Sequence, residues 1–207
     1  MRPALLVIAK TPVPGRVKTR LTPPCTPEQA ARLAAAALLD TLAAAVRTRS
    51  AGRRVLVLDG APGDWVPHGF TVLPQRGEGL AARLAAAFGD VGGPAFLVGM
   101  DTPQVTPAML DAGLAAVETG DAAIGHALDG GYWGIGLRRA DAEAFSGVPM
   151  SAGNTGAVQA ARLAALDLRP AVLPPLRDVD TIEDARAVAA QAPGSRFAAA
   201  LAAVEAA

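Results

Sequence analysis

The chain is poor in the residues that most often carry catalysis by nucleophile or by zinc. It has one cysteine, Cys25, and two histidines, His68 and His126, in 207 residues. A lone cysteine forms no internal disulfide, so nothing points to an oxidising compartment. There is no Cys/His cluster for zinc, and no G-x-S-x-G elbow to support a Ser-His-Asp triad. His126 has no partner pattern and reads as structural. Net charge is also absent, with 19 Lys+Arg against 19 Asp+Glu. That balance argues against a general binder of nucleic acid or of membrane surfaces, which would be basic overall. The N-terminal apolar run Ala4–Ala9 stops at Lys10, too short for a signal-peptide core or a membrane span. The expectation is a soluble, cytoplasmic protein with no nucleic-acid and no membrane partner. Lysine itself is scarce: Lys10 and Lys18 are the only two.

What is present is apolar and rich in turns. Hydrophobic residues make up 51% of the chain and charged residues 18%, which excludes a disordered polymer. A chain of this length buries roughly 70% of its unfolded surface, enough to fold without staples. We expect one domain over residues 1–207. The 22 glycines and 17 prolines speak against a helical bundle.

Short apolar runs alternate with helical patterns. Strands are expected at Ala4–Ala9, Arg54–Asp59, Phe70–Leu73, Pro94–Met100, Ala122–Gly125, Tyr132–Leu137 and Ala171–Leu173. Helices are expected from the Thr26/Pro27/Gln29 capping box to about Val46, and at Gly79–Phe88. Others are expected from Thr106/Pro107 to about Glu118, at Arg139–Phe145, Gly153–Leu166, Glu183–Ala190 and Arg196–Ala206. The pattern is that of an α/β protein with a mostly parallel central sheet and helices on both faces. In such sheets ligands bind outside the carboxyl ends of the strands. Those ends carry the loop Lys10–Leu21, then Asp59, Asp101 and Arg177–Thr181.

The zero charge is a cancellation. Residues 1–58 hold ten basic groups against Glu28 and Asp40, whereas residues 84–137 hold no Lys or Arg and six acids. The asymmetry suits an anionic ligand bound together with a cation. The loop KTPVPGRVKTRL concentrates Lys10, Arg16, Lys18 and Arg20, and Gly15 permits close backbone approach. Such a loop at a strand end can surround phosphates with ammonium, guanidinium and backbone N–H groups. It is neither a Walker loop nor a Rossmann fingerprint.

The carboxylates stand at other strand ends. Asp101 precedes Thr102-Pro103 after a buried run. Asp178 and Asp180 flank Val179, and two residues apart in extended chain they point the same way, so both can reach one metal. The alternative for the second pair is a cap on the following helix. A nucleotide ligand would bring Mg2+ or Mn2+, hard cations that prefer oxygen. Asp129-Gly130-Gly131-Tyr132-Trp133 reads as a tight turn entering a strand, with a ring for stacking or for the core.

Four motifs in this order are similar to one bacterial family: P-x-P-G-x-V-K-T-R-L, G-M-D-T-P, D-G-G-Y-W and D-V-D-T. The chain resembles single-domain proteins of the GT-A superfamily, the nucleotide-diphospho-sugar transferase fold, of the arsenosugar-biosynthesis glycosyltransferase type. The D-V-D-T ending and K-T-R-L loop are also similar to 2-phospholactate guanylyltransferases. The resemblance covers about residues 4–190. It implies that Lys10, Gly15, Arg16, Lys18 and Arg20 contact nucleotide phosphates, and that Asp101 binds a metal with Asp178 and Asp180 as the second carboxylate group. Asp129, Gly130 and Tyr132 would line the donor-sugar or acceptor side, and Asp101 and Lys18 would be catalytic. The expected activity is a Mg2+- or Mn2+-dependent transferase with a nucleotide-activated donor, most simply a nucleotide sugar, and a small-molecule acceptor. A nucleotidyltransferase releasing pyrophosphate is the alternative, and a non-catalytic nucleotide-binding protein a third. A homo-oligomer is compatible with all three. The chain departs from the pattern at Val148-Pro149-Met150-Ser151-Ala152, where relatives often have V-P-W-S-T, and at Gly134, where a bulky aliphatic residue is common. Asp101 also lacks the second Asp of a D-x-D.

Overall fold

Seven strands form one sheet in a computed structural model that describes residues 2–206. In chain order they are β1 (Ala4–Lys10), β2 (Arg53–Asp59), β3 (Phe70–Pro74), β4 (Ala95–Gly99), β5 (Ala122–Ala127), β6 (Tyr132–Leu137) and β7 (Pro170–Leu176). Their spatial order is β3-β2-β1-β4-β6-β5-β7. All neighbouring pairs are parallel except those of β6, which runs antiparallel to both β4 and β5. The inner strands are apolar throughout because both faces are covered: Leu5, Leu6 and Val7 have no exposed surface.

The helices are α1 (Pro27–Arg47), α2 (Gly79–Val91), α3 (Pro107–Thr119), α4 (Thr155–Ala165), α5 (Ile182–Gln191) and α6 (Arg196–Glu205). One face of the sheet packs on α1 and α3, through Leu38, Leu42, Leu110 and Leu114. The other packs on α2 and α4, through Leu84, Phe88 and Leu163. α5 and α6 sit against α1 in a third cluster around Phe197 and Val188. By length and composition α1 passes for a membrane span, but 61% of that stretch is buried inside the protein. Its alanines give it helix propensity and let α6 and the sheet approach closely.

Two elements depart from expectation. Arg139–Phe145 is no α-helix; only Ala142–Phe145 forms a 3-10 turn, capped by Asp141 on the Glu143 amide (2.9 Å). Ser146-Gly147 ends it, with Gly147 at φ 74°, leaving too few residues for α-helical bonds to pay off the nucleation cost. β7 extends through Pro174-Pro175, which sequence reading stops short of. It is an edge strand, where a missing N–H costs no ladder bond.

A slot of glycines governs the middle of the sheet. The fully buried Phe96 ring lies over Gly113, Gly134 and Gly136, where an added Cβ would stand 2.7, 2.6 and 2.9 Å from Phe96. The ring of Trp133 meets Phe96 edge-on at 5.8 Å. Gly134 is thus explained by packing: the volume a larger residue would use there is filled from β4.

Candidate functional site

The parallel strand order reverses direction at β1, with β2 on one side and β4 on the other. A crevice opens at that switch point beyond the carboxyl ends. It is a cavity of about 650 Å³, large enough for a nucleotide. Lys10 closes β1, Asp101 follows β4, and the segment after β7 brings Asp178 and Asp180, all lining this space.

The turn after β4 and the segment after β7 are tied by backbone. The Val179 amide donates to the Asp101 carbonyl (3.0 Å), and the Gln104 amide group donates to the Arg177 carbonyl (2.6 Å). Val179 itself is fully buried, which anchors the chain between its two flanking aspartates. Carboxylates 77 positions apart or more in sequence therefore face one cavity.

The basic loop crosses the mouth. Val13-Pro14-Gly15-Arg16 makes a turn closed by the Arg16 amide on the Val13 carbonyl (3.0 Å), with Gly15 at φ 73°. Proline then glycine at the two central positions is the type II pattern. Gly15 shapes the turn but does not line the cavity, while Arg16, Lys18 and Arg20 do. Lys18 sits in the left-handed region (φ 49°, ψ 38°), rare for a residue with a side chain. Its ammonium lies 2.5 Å from Asp101 Oδ1 and also donates to the Val179 carbonyl. Arg20 pairs with Asp180 Oδ2 at 2.8 Å. Among the described residues Lys10 and Arg16 have no carboxylate partner.

Asp178 is the unusual acid. Its Oδ1 is buried without a hydrogen-bond partner. Burial pushes its pKa up to about 7, helped by the negative charges of Asp101, Asp129 and Asp180 and opposed by Lys18. A buried carboxylate oxygen with no donor, beside a second carboxylate, is a place that a cation satisfies. The oxygen-only donor set suits Mg2+ or Mn2+. Among the described residues no three His, Cys, Asp or Glu side chains converge on a ready metal cage. Asp180 is drawn instead toward Arg20. Asp101 and Asp178, with Asp180 beside them on the cavity wall, could supply carboxylates, and water and phosphate oxygens would complete the shell, as is usual for Mg2+.

The D-G-G-Y turn is placed differently from expectation. Asp129 and Gly130 do not line the cavity; Asp129 Oδ1 accepts from the Gly131 amide (2.8 Å) and fixes the turn. Gly130, at φ 89°, lies so close to residue 153 that a Cβ would stand 1.9 Å from the Gly153 carbonyl oxygen. Tyr132 does line the cavity, but its hydroxyl points inward, donating to Gln159 Oε1 (3.4 Å) beside Met150 Sδ (3.7 Å). Burial holds that phenol well above its ordinary pKa. Trp133 is core, with its indole N–H on the Pro174 carbonyl (3.0 Å).

Sequence reading missed Gln75, Leu80, Arg83 and Ser151, which also line the cavity. Gln75 follows β3 and donates to the carbonyls of Ala9 (2.8 Å) and Val57 (3.2 Å), stitching the ends of β1 and β2. Arg83 bridges Asp59 Oδ2 (2.9 Å) and Gln75 Oε1 (3.1 Å). The strand-end position of Gln75 was a usable signal; the Arg83–Asp59 pair, 24 residues apart, exists only through packing. Ser151 is a second non-glycine residue at positive φ (61°) on the cavity wall.

Fold and crevice together define a nucleotide-diphospho-sugar transferase type of α/β protein. Residues 32–152 match the family described as "Uncharacterized protein conserved in bacteria (DUF2064)", and the chain belongs to that family. No curated protein matches the sequence. Among solved structures it is similar to a "putative nucleotide-diphospho-sugar transferase" from Desulfovibrio desulfuricans G20, at 26% identity and TM-score 0.87, over 99% of this chain and 96% of that one. It also resembles CMP:2-keto-3-deoxy-manno-octonic acid synthetase complexed with CTP (12% identity, TM-score 0.57, 93% and 100% of the two chains). A third likeness is to Rv0371c of Mycobacterium tuberculosis H37Rv in complex with manganese (21% identity, TM-score 0.50, 91% and 98%). The last two are likenesses of fold.

Proposed function

We propose that this protein is a Mg2+- or Mn2+-dependent transferase that takes a nucleotide-activated donor, in the first place a nucleotide sugar, and passes the activated group to a small-molecule acceptor. One observation carries the reading: Lys10 and Arg16, which have no carboxylate partner among the described residues, line the same cavity as Asp101 and Asp178 at the switch point of the sheet. The same class of molecule is suggested by the nucleotide-diphospho-sugar transferase likeness over almost the whole chain. We take residues 1–207 as one domain working in the cytoplasm.

Lys10 and Arg16 bind the donor diphosphate, an ammonium and a planar guanidinium acting on different phosphate oxygens. Asp101 and Asp178 would hold the divalent ion, which would supply charge neutralisation at the leaving phosphate. In glycosyl transfer the acceptor oxygen bonds to the anomeric carbon and gives up its proton to solvent. The bond from that carbon to the diphosphate oxygen breaks, and a nucleoside diphosphate leaves with the electron pair. Leu80 and the Tyr132 ring give the cavity an apolar stretch of wall beside these charges.

A second reading is nucleotidyl transfer, with attack at an α-phosphate and pyrophosphate as product. It is favoured by the missing second Asp of a D-x-D and by metal carboxylates drawn from two separate strand ends. Calorimetric titration with nucleoside triphosphates and nucleotide sugars, with and without Mn2+, tests both readings. Release of nucleoside diphosphate supports the first, and pyrophosphate the second. If nothing binds at millimolar concentration, both fail.

A further inference from the structure

Two of the four basic residues expected at phosphates are already spent on carboxylates. The Lys18 side chain is only 7% exposed, and its ammonium spans Asp101 Oδ1 and the Val179 carbonyl. Those two oxygens belong to the two segments that meet at the metal-binding carboxylates. Arg20 repeats the arrangement at the rim on Asp180. We propose that Lys18 is a built-in counter-ion of the carboxylate site: its ammonium pairs with Asp101 where a divalent cation would bind, and is exchanged for that cation when the nucleotide arrives.

Charge favours exchange over sharing. An ammonium and a divalent ion drawn to the one Asp101 carboxylate repel each other, and the doubly charged ion is the stronger partner for it. Lys18 therefore leaves when the ion binds. Its backbone is fixed in the left-handed turn at the start of Thr19–Leu21, so the side chain alone swings, into the cavity that holds the phosphates. Cation and anion then enter together, because the ammonium displaced by the first is received by the second. The chain's lysine usage fits this role: a compact ammonium substitutes for a metal ion where a forked guanidinium does not. The inference rests on the metal-and-phosphate reading of the site, and goes beyond it in making the free cation a poor ligand.

Mn2+ alone, titrated by calorimetry into wild type and Lys18→Met, tests the exchange without any turnover. The variant should bind Mn2+ at least tenfold more tightly, and inorganic pyrophosphate should tighten Mn2+ binding much more in wild type than in the variant. Equal or weaker Mn2+ binding by Lys18→Met, or none by either protein, overturns the proposal. Because the chain has only two lysines, the wild type gives an independent reading. With 15N-lysine label, the Lys18 ammonium should show slow exchange and exposed Lys10 none. Saturating Mg2+ with pyrophosphate should abolish the hydrogen-bond coupling between the Lys18 ammonium and the Val179 carbonyl carbon. A coupling that persists with Mg2+ and pyrophosphate bound overturns the proposal, whether or not the Met variant folds. If the exchange is seen and no nucleotide binds, the transferase reading alone falls; if nucleotides bind while Lys18 stays in place, the exchange alone falls.

Discussion

Asp178→Asn offers a direct measurement of what the buried carboxylate costs the metal-free protein. Folding moves this carboxyl from 3.8 to about 7, chiefly by burial. A folded pKa above the unfolded one means stability that is complete below pH 4 and lost as the pH rises through about 7. At about 1.4 kcal/mol for each tenfold change in proton affinity, the gap corresponds to at most about 4 kcal/mol. Partial solvent access to the group lowers the measured effect to about 2 kcal/mol, or roughly 4–8 °C in melting temperature for a chain of this size. Asparagine keeps the shape and removes the charge. In EDTA, wild type and variant should melt together near pH 4.5, and the variant should be the more stable at pH 8. Mg2+ with pyrophosphate should recover stability for wild type at pH 8 and leave the variant unchanged. Thermal denaturation followed by circular dichroism from pH 4.5 to 8.5 reads all of this. A constant difference between the two proteins across that range would refute the electrostatic account.

Other consequences are simpler to read. Phe96→Ala should cost about 3–5 kcal/mol in urea unfolding, since the ring fills the slot over three glycines and nothing nearby can collapse into it. Gly130→Ala should destabilise by more than about 2 kcal/mol and shift the Ser151 loop, because its Cβ meets the Gly153 carbonyl and its φ is 89°; normal stability would show that the turn relaxes freely. Lys10→Ala and Arg16→Ala should each weaken nucleotide binding about 10- to 100-fold by calorimetry, the usual worth of a charged hydrogen bond, without changing Mn2+ binding. Asp40→Ala should loosen α6 by about 1–3 kcal/mol, seen as faster amide exchange in Arg196–Glu205, because Asp40 accepts from the Phe197 (2.9 Å) and Arg196 (3.2 Å) amides.

The amino-acid sequence by itself determined the alternation of strands and helices. Buried strands must be apolar on both faces, and capping residues such as Thr26 and Gln29 act on their own helix. It also placed Lys10, Asp101 and Asp178 at strand ends, where an α/β sheet binds its ligands. These are local signals, readable within a few residues of chain. Tertiary structure alone decided which charges meet. Lys18 lies 83 positions from Asp101 and 160 separate Arg20 from Asp180; no spacing rule predicts such pairs, because sheet order creates them. Packing likewise turned the Tyr132 hydroxyl away from the cavity and gave Gly130 to a close backbone approach. The sequence could name the charges that we assign to a phosphate and its metal. Only the fold could show that two of them, Lys18 and Asp101, pair with each other.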